Sequence, residues 1–267
     1  MKVAKKSKQK QRTVLLFVGG VALLCLVGAI FFYLMHDYYS VESRVEKMKE
    51  YAKKDTENYS TVGWLRVQGT NIDYPVIYAP GYDFSSKTDD FLWTEANEDK
   101  LLNKVSISGH NILNLSANPL VANKNHKRFE QLMSFLYYDF VKENKYIQYT
   151  FQGKEYVYKI FSVSFADFDE LDLFATKDYS KKELNKYIQQ SLKESFFKFD
   201  IDVNSSDKII SLDTCTRMFG SNSNKQFRVD ARLVRDNELK TNYSVSKKSN
   251  YKEILDIMEG GEENEKA

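Results

Sequence analysis

The chain has 267 residues, 42% of them apolar and 28% charged, with 18 Tyr, 18 Phe and few Gly or Pro. That is a globular composition and excludes collagen-like or linker-dominated classes. The net charge is +2, yet Lys2, Lys5, Lys6, Lys8, Lys10 and Arg12 all precede residue 13, which leaves 33 basic against 37 acidic residues, a net of −4, in the rest; a near-neutral body of this kind argues against nucleic-acid binding.

Residues 1–12 form the basic segment. Residues 13–34, TVLLFVGGVALLCLVGAIFFYL, hold no charge over 22 positions, enough to cross the hydrocarbon core as one helix. A transmembrane anchor over 13–35 is expected. A cleaved signal would have a shorter core and a small-x-small site, whereas this run continues into YLMHDYY. The bulky Leu24 disfavours lipoprotein processing at Cys25. With the basic charges before the span, the N-terminus is expected in the cytoplasm and the remainder outside. Tyr33, Tyr38 and Tyr39 suit the interface.

Residues 36–60 are expected to be a helical segment, with Ser40 as N-cap and Val41, Val45, Met48 and Ala52 in a stripe. The main domain is assigned to 61–238. Within it, VGWLRVQGTNIDYPVIYA (62–79) reads as strand, turn, strand around QGTN. KVSISGHN (104–111) is a strand that breaks at Gly109. Residues 126–143 have a helical face of Phe129, Leu132, Met133, Leu136 and Phe140. Residues 145–167 alternate on both sides of QGKE, a long hairpin. A helix over 180–197 begins with a capping box, Ser180 and Glu183. DKIISLDTC and QFRVDARLV are strands joined by a polar loop, 216–225. The tail, 239–267, is a short helix, YKEILDIM, and then a disordered acidic end. Strands outnumber helices without βαβ alternation, so a mostly β fold, a barrel or curled sheet with peripheral helices, fits best.

The chemistry turns on Cys215. Cys25 falls within the membrane run, so the two cysteines cannot pair within one chain. No Cys/His set has zinc-ligand spacing and no loop has a recognisable pattern for a hard cation, so no metal is expected. On a strand, Ile209, Ser211, Asp213 and Cys215 share one face and Ile210, Leu212 and Thr214 the other. The Cys face becomes polar toward its end, so an exposed sulfur at a strand terminus is expected, either inert or a nucleophile. A thiol nucleophile is helped by a nearby cation. Arg228 ranks first, as a residue opening the next strand, Arg232 second and Arg217 third. An arginine there could hold an oxyanion, since it stays charged. A leaving amine needs a general acid. His110, after the break at Gly109, is better placed than His126, which reads as solvated among Lys124, Lys127 and Arg128, or His36 at the membrane edge.

Together SLDTC, the downstream FRV arginine, the upstream SGHN histidine and the N-terminal anchor resemble the sortases, cysteine transpeptidases of Gram-positive cell surfaces. The family motif is Thr-Leu-x-Thr-Cys, with Ser211 here in place of the first Thr. VGWLRVQGTNIDYPV and the helix before the cysteine strand are similar to class B. The resemblance, over residues 40–235, implies an eight-stranded sortase β-barrel with added helices and no metal or organic cofactor. It implies that Cys215 attacks the carbonyl after Thr in a sorting signal of LPxTG or NPxTx type. His110 would be the acid/base, Arg228 would hold the oxyanion or substrate, and Thr214, Ser211 and Asn111 would border the substrate. The implied partners are the sorting-signal peptide, a membrane reached through residues 13–35, and an amine from a peptidoglycan precursor. A lysine of another pilin is the alternative amine; an Asp-Pro-aromatic lid is missing, which disfavours a dedicated pilin class. A membrane-anchored scaffold without catalysis is the remaining alternative.

Overall fold

The structure, a computed structural model, describes residues 2–57, 59–80, 91–95, 99–112, 125–220, 223–236, 238 and 243–265. It divides into two units, residues 1–47 and 48–267. The first is helical. Helix α1, Lys2–Ala52, runs unbroken where two helices were expected. It contains the apolar stretch Thr13–Tyr33, long enough to cross a membrane and with none of its side chains buried.

The second unit is an eight-stranded closed barrel. Strands β1 (Ser60–Val67) and β2 (Asp73–Tyr78) form the expected antiparallel pair. The two-residue β3 (Leu92–Trp93) and β4 (Lys104–Ser108) follow. The segment expected as one helix over 126–143 is instead a 3-10 helix, Glu130–Leu136, and a short α2, Tyr138–Glu143. They are separated by Tyr137, whose φ −92° and ψ 121° are extended. All seven residues of the 3-10 turn are buried, so packing on every side replaces the one-faced burial that a surface helix shows.

Strands β5 (Tyr146–Phe151) and β6 (Lys154–Asp167) make the long hairpin. Gln152 and Gly153 at its tip have φ of 49° and 73°, the pair of left-handed residues that a type I′ turn requires and that matches strand twist. A one-turn α3 (Leu171–Phe174) leads to α4 (Lys181–Glu194). The α4 capping box forms as expected: the Glu183 amide donates to Ser180 Oγ, and the Ser180 amide to the Glu183 carboxylate. The short β7 (Phe197–Phe199) pairs outside the barrel with β10 (Val245–Lys247). Between them in sequence are β8 (Ile209–Cys215) and β9 (Lys225–Leu233). Helix α5 spans Tyr251–Glu265, so it runs through the acid-rich end expected to be disordered.

Around the barrel the order is β1-β2-β3-β4-β8-β9-β6-β5. Alternation sends Leu65, Val76, Ile107, Ile147, Leu212 and Val229 into one core. The other face of β8, β9 and β6 is covered by α3 and α4, where Leu173, Leu184, Tyr187 and Ile188 pack with Phe161 and Ile209. A bulge between Ile160 and Ser162 adds Phe161 to that helical layer while Ile160 and Val163 stay inside. The Cys215 face of β8 is therefore the outer one, and it runs beneath the helices.

Candidate active site

The catalytic candidates meet because β4 and β8 lie side by side and parallel. Their register runs from Lys104 opposite Ile209 to Ser108 opposite Asp213. Carried two residues further, it sets His110 opposite Cys215 on one face, and neighbouring strands are about 4.8 Å apart. Hydrogen bonds hold this alignment beyond the strand ends. The Gly109 amide donates to the Asp213 carbonyl at 3.2 Å. Thr214 Oγ1 donates to the Gly109 carbonyl at 2.6 Å, and Asn111 Nδ2 to the Cys215 carbonyl at 3.1 Å.

Only glycine fits at 109. A Cβ there would lie 2.5 Å from the Leu92 side chain and 2.8 Å from that of Phe129. The His110 ring is set by Trp93 of β3, at 4.9 Å between centroids, and its carbonyl accepts from the Phe129 amide. Cys215 is free and exposed.

Both side chains open into a cavity of about 690 Å³. Tyr78, Trp93, Phe168 and Phe174 give it an aromatic wall, and Glu95 and Asp213 give it carboxylates. Phe168, half exposed, is the one exposed large apolar side chain outside α1 among the described residues. Thr94, Ser108, Thr214, Ser223, Asn224 and Gln226 add hydrogen-bonding groups, so the cleft can seat apolar side chains and pair with a peptide's polar groups. A thiol beside an imidazole can exchange a proton with it and attack a carbonyl bound in the cleft.

No protein-family model matches the sequence. Sortase B of Staphylococcus aureus is 22% identical over 183 residues, 67% of this chain and 72% of that protein. Sortase B of Listeria monocytogenes is 25% identical over 170 residues, 59% of this chain and 63% of that one. Among solved structures, sortase B of Clostridium perfringens superposes with a TM-score of 0.55 at 27% identity, covering 73% of this chain and 100% of the other.

The sequence and fold of this chain are those of the sortases, most like class B. Its barrel with peripheral helices is the sortase fold, and sortases are cysteine transpeptidases, so the protein is an enzyme of that kind.

The expected residues of this sortase divide into those at the cavity and those away from it. Cys215, His110 and Thr214 line it. Asn111 is buried and donates to the Cys215 carbonyl, which clamps the backbone at that residue. Ser211, expected to border the substrate, is instead fully buried opposite Asp230, four residues deeper along the same face than Cys215, and does not line the cavity.

Arg228 is not brought to the cavity either. It was expected to open the strand beside Cys215, but β9 begins at Lys225, so Gln226 is opposite Cys215 and Arg228 opposite Asp213. The Arg228 side chain is wholly buried beneath α4. There Nε is 3.2 Å from Asp230, Nη2 donates to Ser191 Oγ at 3.2 Å, and the guanidinium is 5.5 Å from the centre of the Tyr187 ring. Arg232, the second candidate, is at the far end of the hairpin opposite Ile209 and is bound to Glu238. Arg217 is exposed in the loop after Cys215 and does not line the cavity. His126, expected to be solvated, is buried with Nδ1 3.3 Å from Glu130.

Beneath the cavity is a polar layer that sequence reading did not assign. Ser108 Oγ donates to Asp213 at 2.6 Å. Lys104 Nζ donates to Ser106 Oγ at 2.8 Å and to the Leu173 and Ala175 carbonyls. Tyr187 donates to Asp230 at 2.6 Å. Burial pushes the Asp213 carboxyl up to about 7, against the Ser108 hydrogen bond and the Lys104 charge. Burial likewise pulls Lys104 down to about 7, against Asp230 and Asp213. The signal in the sequence was the alternation of Lys104, Ser106 and Ser108 with Ser211, Asp213 and Cys215 on matching faces. Only the parallel pairing shows that these faces join.

Proposed function

We propose that this sortase is held at the cell membrane by residues 13–35, with its N-terminus cytoplasmic and its catalytic domain outside. It cleaves a C-terminal sorting signal of LPxTG or NPxTx type after the Thr and transfers the new carboxyl end to a cell-wall amine. The observation that carries the reading is the register of β4 with β8, which carried two residues further sets His110 beside Cys215, together with a cavity that both residues line. The apolar, unburied run Thr13–Tyr33 supports the anchor.

In this reading the Cys215 sulfur bonds to the carbonyl carbon of the Thr while its proton passes to His110. Collapse of the tetrahedral intermediate breaks the C–N bond, and His110 returns the proton to the leaving amine. A thioacyl enzyme remains. The acceptor amine attacks it, loses a proton to His110 and displaces the Cys215 thiolate. Asn111 and Thr214 keep the two strand ends in step, and Trp93 sets the imidazole plane.

The test is incubation with a fluorogenic library of LPxTG and NPxTx peptides, with mass spectrometry of the enzyme. A Thr-terminated adduct on Cys215 is expected, together with complete loss of cleavage in Cys215→Ala and near-complete loss in His110→Ala. Cleavage that survives Cys215→Ala would sink the reading. Adding oligoglycine or a lysine-bearing pilin peptide as second substrate separates a cell-wall amine acceptor from pilin joining.

A further inference from the structure

The transpeptidase reading needs donors for the oxyanion that forms when sulfur adds to the carbonyl. Among the described residues lining the cavity there is no Lys or Arg, while Glu95 and Asp213 bring two carboxylates. The guanidinium expected to serve is sealed under α4. The hairpin register supplies another group. Gln226 is directly opposite Cys215, and side chains of such antiparallel pairs share a face with Cβ atoms about 4.5–5.5 Å apart. Gln226 is half-buried and lines the cavity. Its neighbour across β6 is the small Ala166, and among the described residues no protein group engages its amide. Three adjacent strands thus present His110, Cys215 and Gln226 at one level, with the sulfur in the middle.

We propose that Gln226 is a catalytic residue that donates a hydrogen bond from its side-chain amide to the oxyanion of the tetrahedral intermediate on Cys215. The inference rests on the reading of the previous subsection. Sulfur addition moves the carbonyl π pair onto oxygen, where Nε2–H meets it. Collapse restores the C=O bond as the C–N bond breaks, and the amide gains and loses no proton. A neutral donor acts on the intermediate and leaves the thiol's own titration alone. This separates it from a cation, which would also favour the thiolate.

The test uses the full chain in detergent, the same peptide library, and the rate of Cys215 alkylation by iodoacetamide against pH. Gln226→Ala is expected to lower kcat for thioacyl formation about 10²-fold, as loss of one oxyanion donor does. KM and the alkylation profile should stay within about twofold and a few tenths of a pH unit of wild type. Gln226→Glu, which has the same shape but no neutral-pH donor, should be at least as slow. Gln226→Arg, which restores donors, should recover most of the rate. Thermal melts of each variant check the fold. Wild-type turnover in Gln226→Ala, or a shifted alkylation profile, overturns the proposal; if Arg217→Ala is the slow variant, the donor is the loop guanidinium. A wild type that forms no adduct with any peptide overturns the transpeptidase reading as well, and so is told apart from failure of Gln226 alone.

Discussion

Asp213 is two residues before Cys215 on the same outward face, and its carboxylate is held by Ser108, two residues before His110. The charged groups that bear on it are Lys104 and Arg228, which favour its ionised form, and Glu95, which opposes it. Burial outweighs them and raises the carboxyl from 3.8 to about 7. The sign of the stability effect follows. Between pH 3.8 and about 7 the unfolded chain has lost this proton while the folded chain keeps it. The unfolded state binds fewer protons there, so stability from this group falls as pH rises through the window. Asp213→Asn cannot titrate and loses that slope. Its melting temperature relative to wild type should climb from pH 4 to pH 7 and level off above, read by circular dichroism in a pH series. A flat difference would mean that the carboxyl is ionised throughout.

At the scale of elements, α4 closes the polar outer face of β8 and β9. Its amphipathic spacing and capping box were legible locally, because both depend on residues three or four apart. What lay under it was not. Arg228, Asp230, Ser191 and Tyr187 come from two segments about 40 residues apart, and their ion pair and hydrogen bonds form only when the helix lies on the sheet. Truncating one partner of a buried pair leaves the other charge stranded at a cost of about 3–5 kcal/mol. Arg228→Ala should fall near the lower end, since Tyr187 still serves Asp230. For a domain of this size that is a melting temperature lower by roughly 6–12 °C, measured by calorimetry. An Arg228→Ala protein that melts like wild type yet cannot turn over would return the residue to the chemistry. The miss in the sequence reading was a register error of two residues. The loop between Cys215 and the first pairing residue can absorb any such offset, and alternation alone keeps the face while leaving the partner open.

For the molecule as a whole, the barrel unit, residues 48–267, carries Cys215, His110 and the cavity, and residues 1–47 form a separate unit. A protein of residues 48–267 should therefore be soluble without detergent, melt cooperatively and cleave peptide at the full-length rate within about threefold. Loss of the melting transition on this truncation would show that the helix is needed for the fold.

Periodicity, turn residues, the capping box and the charge-free run are local, and the sequence by itself determined them: the hairpins, α4, the apolar span and the exposed cysteine at a strand end. The 3-10 turn, the pairs β4 with β8 and β2 with β3, and the covering of a polar face by helices were decided by tertiary structure. The physical reason is distance along the chain. His110 and Cys215 are brought together by a parallel pairing across about 100 residues, and no local propensity encodes which strands pair in parallel or in what register. The same cause sent Arg228 under α4 and left Gln226 beside the sulfur: a strand's alternation names a face, and only the neighbouring strand decides which residue the face meets.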